Sequence, residues 1–340
     1  MTENGAGNPI LITGGCGFIG SNFIRHLRKF RPGWRLVNLD KLTYAGSRER
    51  LADLEGLPGY EFVHGDIADE ALVDDLFREN AFQGVVHLAA ESHVDNSIAS
   101  PESFIRTNID GTFVLLDACR RHWNAVLGHP AAQRFLHVST DEVFGSLGAV
   151  GYFNEKSPYA PNSPYSASKA ASDHLVRSYV KTYGLNAVVT NCSNNFGPYQ
   201  HREKLIPTII RKALFGEPIP IYGQGTNVRD WIYVGDHCEA LLSVYERADP
   251  GAHYVIGGGN EWNNLDLARH ICDILDGLRP LAAGKSYADQ IRFVNDRPGH
   301  DHRYAVDASA LSNDLGWEPA TGFADAIRAT VLGYLEETNA

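Results

Sequence analysis

The chain is predicted to be an α/β protein, a doubly wound parallel sheet with a smaller C-terminal α/β lobe. Three observations carry that reading. Short apolar runs alternate with helix-period segments through the first half, as right-handed βαβ crossovers require when a parallel sheet is covered on both faces. A cluster of glycines stands where the first apolar run gives way to the first helical pattern. At 340 residues the chain exceeds what one hydrophobic core organises, so about two domains are expected.

The elements follow in order. Ile10 to Thr13 is a buried strand and Phe18 to Phe30 a helix. Arg35 to Asp40, Tyr60 to His64 and Gly84 to His87 are further strands, with helical periodicity from Asp69 to Glu79 between the last two. A helical pattern starts near Pro101 and runs to about Arg121, and Arg134 to Ser139 is another strand. Ser163 followed by Pro164 is a strong helix start, a capping oxygen and then proline at the first helical position. Ala167, Ala170, Ala171, Leu175, Tyr179 and Tyr183 keep one face of that helix apolar until Gly184 stops it, and Ala187 to Cys192 is the next strand. Beyond residue 193 proline and glycine punctuate the chain and helices shorten. Residues 1–192 are therefore read as the first domain, with return segments around 225–262, and residues 193–340 as mainly a second lobe with ligand-contacting loops.

Composition excludes several classes of protein. Hydrophobic residues make up 44% and charged residues 21% of the chain, the balance of an ordinary globular protein. A net charge of −11 argues against a protein that coats phosphate backbones, so no nucleic-acid partner is expected. No apolar run approaches the roughly 20 residues that a bilayer requires, and the polar start from Met1 to Pro9 lacks a signal layout. Five scattered cysteines without a CxxC pair read as reduced core residues of a cytoplasmic protein.

Gly14, Gly17 and Gly20 have a G-x-x-G-x-x-G spacing between a strand and a helix. Glycines there let the backbone turn tightly and a pyrophosphate approach, while the helix N-terminus offers free N–H groups. Asp40 ends the next strand, twenty residues after Gly20. A carboxylate there accepts from a ribose 2′-OH and repels a 2′-phosphate, which favours NAD over NADP in a Rossmann-like domain. Capping of the strand end is the other role open to Asp40.

Tyr-x-x-x-Lys occurs twice. Tyr152 and Lys156 lie in a polar, proline-flanked stretch where the spacing reads as chance. Tyr165 and Lys169 lie in the first turns of the capped helix, on one face. An ammonium beside a phenol lowers the phenol's pKa and fits it to take a hydroxyl proton. Ser139-Thr140-Asp141-Glu142 follows a strand, at whose carboxyl end side chains face the ligand crevice. Two adjacent carboxyls in a dry site split their pKa values and leave one protonated. Loss of water beside a ketone needs that acid and that base.

Together, the TGGxGxxG start, Asp40, Tyr165 and Lys169 resemble the extended short-chain dehydrogenase/reductase superfamily. Thr140-Asp141-Glu142 is similar to the nucleotide-sugar 4,6-dehydratases of the dTDP-glucose type, as are Ser163 to Lys169, Asn191 to Asn195, Glu203 to Pro207 and Asp296 to Asp301. The resemblance covers the chain from about Ile10 to Tyr334. It implies conversion of dTDP-glucose to dTDP-4-keto-6-deoxyglucose plus water: oxidation at C4, elimination across C5 and C6, and return of hydride to C6. NAD would stay bound throughout. Tyr165 would be the base toward the C4 hydroxyl, with Thr140 and Lys169 beside it, Glu142 the base at C5 and Asp141 the acid at C6.

The same resemblance implies a cofactor site of Gly14, Gly17, Phe18, Ile19, Gly20, Asp40, Lys41, Leu42, Thr43, Asp66, Ile67, Leu88, Ala89, Ala90, Glu91, Ser92, Thr107, Tyr165, Lys169 and Asn195. It implies a nucleotide-sugar site of Ser92, Thr140, Asn194, Lys204, Leu205, Pro220, Ile221, Tyr222, Arg229, Asn264, Asp296, Arg297, Pro298, Gly299 and His300. Arg229 suits a diphosphate because its planar fork pairs oxygens two at a time, although an ion pair with Asp230 or another carboxylate is the other reading. His300-Asp301-His302 is not taken as a metal site, since one short loop without a partner cluster makes a poor one. A homodimer is implied as well. Phe144 and Phe196 stand where the family commonly has tyrosine, Asn96 where arginine is common, and His201-Arg202 where an aromatic–proline pair is usual. The alternatives are the same chemistry on UDP-glucose, a UDP-sugar 4-epimerase in which Asp141 and Glu142 idle, and a dinucleotide-sensing protein without catalysis.

Overall fold

A computed structural model describes residues 9–124, 132–296 and 298–339. Its strands are β1 (Ile10–Thr13), β2 (Leu36–Asp40), β3 (Tyr60–His64), β4 (Gly84–His87), β5 (Arg134–Thr140), β6 (Ala187–Cys192), β7 (Asn194–Phe196), β8 (Ile219–Tyr222), β9 (Val228–Tyr233), β10 (His253–Ile256), β11 (Glu261–Asn263) and β12 (Ile291–Val294). Its helices are α1 (Phe18–Phe30), α2 (Glu70–Glu79), α3 (Val94–Ala99), α4 (Glu102–Phe104), α5 (Gly111–His122), α6 (Pro164–Tyr183), α7 (Leu205–Leu214), α8 (Val234–Arg247), α9 (Asn264–Leu278), α10 (Ser309–Leu315) and α11 (Phe323–Asn339).

The order β10-β6-β5-β4-β1-β2-β3 makes a seven-stranded sheet whose pairings are all parallel. Strands so nearly continuous in apolar residues must be covered on both faces. Side chains alternate accordingly. Ile10, Ile12, Leu136 and Val138 meet α1 and α8 on one face, while Leu11, Val37, Phe135 and Val189 meet α2, α5 and α6 on the other. The doubly wound parallel sheet expected from the sequence is thus the fold. Chain reversal at the sheet's centre puts the ends of β1 and β4 side by side, with Thr13 opposite His87, and opens a crevice there.

Residues 234–256 return to this sheet as α8 and β10, and α10 packs against β10, with Leu311, Leu315 and Trp317 completing the same core. A separate core gathers α7, α9 and α11 over β8 and β9, beside a three-stranded sheet, β11-β9-β7, and a two-stranded one, β12-β8. The segment expected as one helix from Pro101 to Arg121 is interrupted: Ile105–Asp110 forms a π-helical turn between α4 and α5. Asn108 in that turn grips both backbone groups of Glu91, an extra-helical demand that periodicity does not register. The described residues contain no helix long and apolar enough to cross a membrane. All five cysteines are buried and unbridged.

Candidate active site

The glycine turn explains itself sterically. Gly14 has φ +71°, and a Cβ there would stand 2.6 Å from Ala89 Cα; at Gly20 it would stand 2.2 Å from the Gly14 carbonyl oxygen. With side chains excluded, β1 runs into α1, whose N-cap, Gly17, has no side-chain cap. The helix therefore presents unbonded N–H groups and a positive dipole to the crevice. Asp40 closes the far side. Its Oδ2 accepts from the Cys16 N–H at 2.8 Å and its Oδ1 from the Leu42 N–H at 2.8 Å. Each oxygen keeps a further lone pair, so the strand-end cap and a sugar hydroxyl are compatible. Burial raises its pKa, and the two N–H bonds oppose the rise.

One cavity runs from this turn across the sheet's carboxyl edge. Its lining includes Gly14, Gly17, Phe18, Ile19, Gly20, Asp40, Lys41, Thr43, Asp66, Ile67, Leu88 to Ser92, Thr107, Thr140, Asp141, Glu142, Tyr165, Lys169, Asn194, Asn195 and Lys204. Residues far apart in sequence are joined across it: Lys41 Nζ pairs with Asp66 at 2.8 Å, and Lys204 Nζ donates to the Ser92 carbonyl at 3.0 Å. These residues fit a dinucleotide, with glycines and helix N–H groups at one end, a carboxylate beyond them, and a proton-handling cluster at the other end.

That cluster is built by two elements. β5 ends at Thr140 and turns into a short 3-10 helix, Asp141–Phe144, capped by the Thr140 hydroxyl, which accepts from the Glu142 N–H at 3.3 Å. The same hydroxyl lies 3.3 Å from Asp141 Oδ1. α6 supplies the rest: Ser163 and Ser166 form a capping box around Pro164, which fixes Tyr165 and Lys169 in the first turns. Asp141 is 2% exposed, and its Oδ2 has no hydrogen-bond partner among the described residues. Burial drives its pKa well up, with Glu142 and Asp230 adding to the effect and Arg229 opposing it. Burial thus favours the protonated form of Asp141.

Two expectations change here. Lys169 Nζ donates to the Val138 carbonyl at 2.9 Å, and Tyr165 is pushed well above its ordinary pKa by burial first, then by Glu142 and Cys192, with the Thr140 hydroxyl pulling it down. Burial is thus the largest influence on the phenol. Several residues expected at the nucleotide-sugar site also lie away from the cavity. Ile221 is 1% exposed within the α7/α9 core. Leu205 packs against that core, and Leu42 contributes its backbone to Asp40 instead of lining the cavity.

Pro220, Tyr222, Arg229, Asn264, Asp296, Pro298, Gly299 and His300 do not line the cavity either. Some of them form a ledge, where the rings of Tyr222 and His300 meet edge to face and His300 Nδ1 lies 2.6 Å from Asp296. Arg229 is buried, donates to the Asp301 and Val228 carbonyls, and stacks 4.2 Å over Tyr304. Asp230 accepts from the Gly258 and Asn260 N–H groups, and the Arg229 charge acts on Asp141. Arg297 lies outside the described residues. Among them no cluster of three His, Cys, Asp or Glu could hold a metal. Tyr152 is exposed and, with Lys156, lies off the cavity.

Sequence reasoning missed Tyr44, Cys192, Ser193, Gln200, His201 and Glu203, which also line the cavity. Tyr44 stands edge to face with His201, 5.4 Å apart, so loops from the two halves of the chain meet over the site. The signals available in sequence were the family motifs that contain Cys192, Ser193 and Glu203, and the departure from family pattern at His201.

Residues 11–330 match the family described as GDP-mannose 4,6 dehydratase. A dTDP-glucose 4,6-dehydratase of Xanthomonas campestris pv. campestris is 55% identical over 326 residues, spanning 96% of this chain and 92% of the relative. A dTDP-glucose 4,6-dehydratase of Streptomyces venezuelae, solved with NAD bound, superposes with a TM-score of 0.88 at 43% identity, covering 97% of this chain and 98% of that one. A Bacillus anthracis enzyme of the same name, in complex with NAD, gives 0.87 at 40% identity, with 98% of each chain covered. With the glycine turn, Asp40, Tyr165 and the Thr140-Asp141-Glu142 turn on one cavity, the chain belongs to the dTDP-glucose 4,6-dehydratase family.

Proposed function

We propose that this protein is an NAD-dependent hydro-lyase that converts dTDP-glucose to dTDP-4-keto-6-deoxyglucose and water. The observation that carries the reading is the convergence of a buried protonated carboxyl, a second carboxyl, a threonine hydroxyl and a phenol beside the dinucleotide end of one cavity. NAD bound there supplies the oxidant for C4 and the reductant for C6.

Thr140 orients the C4 hydroxyl; Tyr165, whose phenolate form the positive charges of Lys169 and of an oxidised nicotinamide would favour against burial, takes its proton as C4 becomes a ketone. The ketone acidifies C5–H, which Glu142 removes. Asp141, already carrying a proton, delivers it to the C6 hydroxyl, and the C6–O bond breaks with loss of water. Glu142 then returns its proton to C5 as C6 is reduced; Tyr165 gives up the C4 hydroxyl proton to solvent and Asp141 takes one back, so all three groups return to their starting states. Acid and base catalysis of this kind contributes on the order of 10²–10⁴-fold per group. An epimerase has no use for a neutral, buried Asp141 whose Oδ2 is unpartnered, and that detail favours dehydration.

The NAD-binding domain is formed by residues 1–192 with the return segments, and the nucleotide-sugar lobe mainly by residues 193–340. The ledge of Tyr222, Asp296 and His300 takes the nucleotide end. The protein works in the cytoplasm as a homodimer, and the large apolar side chains of Ile98, Ile105 and Phe113, exposed along α3 to α5, suit an interface. The test is incubation of purified protein with dTDP-glucose or UDP-glucose without added cofactor. The 4-keto product, read by its absorbance in alkali, should form fastest from dTDP-glucose. A C4 epimer, or no product from either sugar, overturns the reading.

A further inference from the structure

Behind the cavity lies a buried polar network that the chemistry above does not use. Asp173 is fully buried on α6, four residues after Lys169 and on the same face. Its Oδ2 accepts from the Tyr159 hydroxyl at 2.8 Å and from Asn191 Nδ2 at 3.0 Å. Asn191 Nδ2 also donates to the Thr140 carbonyl at 2.9 Å. Arg177 donates to the Tyr159 hydroxyl and to His253 Nδ1, which leaves His253 Nε2 as the donor to Asn191 Oδ1 at 2.6 Å. Asp173 Oδ1 also lies 3.1 Å from His137 Nε2; this one carboxylate thus lies a helical turn from Lys169 on the same face and reaches the Thr140 turn through one amide.

We propose that Asp173 is a positioning residue for the reaction: it is the counter-charge that keeps the buried Lys169 protonated and, through Asn191, the anchor that holds the Thr140–Glu142 turn. This rests on the dehydratase reading given above. A lysine removed from water loses its proton unless an anion compensates. The groups facing Lys169 are His87 from β4, His137 from β5, Cys192 from β6, and Tyr165 and Asp173 on its own helix. Burial holds both histidines neutral and pushes the Cys192 thiol up to about 12, so none of these is an anion. Asp173 is ionised, its pKa held down by His137, Lys169 and Asn191 against burial.

The test is the pH dependence of kcat. Asp173→Asn keeps an acceptor for Tyr159 and Asn191 but deletes the charge. It should lower kcat by about 100-fold with KM within a few fold, and move the basic limb of the profile down by about one pH unit or more, because Lys169 then loses its proton sooner. Asp173→Glu should leave that limb at its wild-type position. Asp173→Asn/Lys169→Met removes both charges and should fold, with the kcat of Lys169→Met alone. If Asp173→Asn does not fold, this double variant decides. A wild-type profile for Asp173→Asn, or a further tenfold loss in the double variant, overturns the proposal. Wild-type protein inactive on dTDP-glucose would instead sink the dehydratase reading itself.

Discussion

At Asp141 function and stability pull in opposite directions. Its folded pKa lies well above the unfolded value of about 4, so the stability it contributes is complete below that value and declines as pH rises through the folded pKa. Asp141→Asn abolishes that decline: it should raise Tm by a few degrees at mildly alkaline pH while slowing elimination by about 10²-fold or more. Thermal unfolding and product assays check this, and an earlier melt with unchanged product formation would contradict the neutral-acid assignment. Glu142→Gln should still oxidise C4 in a single turnover, seen as reduced nicotinamide absorbance, yet release no dehydrated sugar. Asp40 shows how much one residue type can reveal. Its place at the end of a strand suggests a ribose carboxylate, yet its bonds to Cys16 and Leu42 depend on a turn whose shape no single position encodes.

α6 is where local sequence and catalysis meet. The Ser163 cap, Pro164 and the left-handed Gly184, φ +71°, bound the helix at both ends, and each is a short-range steric or hydrogen-bonding requirement. Ser163→Ala should cost about 1 kcal/mol of stability and, by fraying the turn that carries Tyr165, reduce kcat more than it changes KM. Chemical denaturation beside steady-state kinetics measures both, and an unchanged kcat would mean that the cap serves stability alone. The π-helical turn at Ile105–Asp110 was hidden for the converse reason. Its cause is Asn108 reaching Glu91 and Ser168, and nothing in the periodicity of its own segment announces those partners.

For the molecule as a whole, the crevice is held by contacts that cross between the parts of the chain. Asn22 donates to the Pro198 carbonyl and Lys204 to that of Ser92. A ligand bridging them should stabilise both parts together: dTDP at a hundredfold above its Kd should add about 2.7 kcal/mol to unfolding, giving one higher melting transition. Two separate transitions, or an equal shift with UDP, would argue against a shared, thymidine-preferring site. By itself the sequence determined the alternation of strand and helix, the glycine turn, the capped helix bearing Tyr165 and Lys169, and the paired acids after β5. Each depends on sterics and hydrogen bonds within about one βαβ unit. Tertiary structure alone decided that Arg229 turns to carbonyls some seventy residues on, that Ile221 belongs to a core, that Asn162 meets Asp301 across 139 positions, and that Asp173 meets Asn191 and Tyr159. Those partners are chosen by how sheets and helices pack, and packing brings together residues whose local sequences carry no trace of one another.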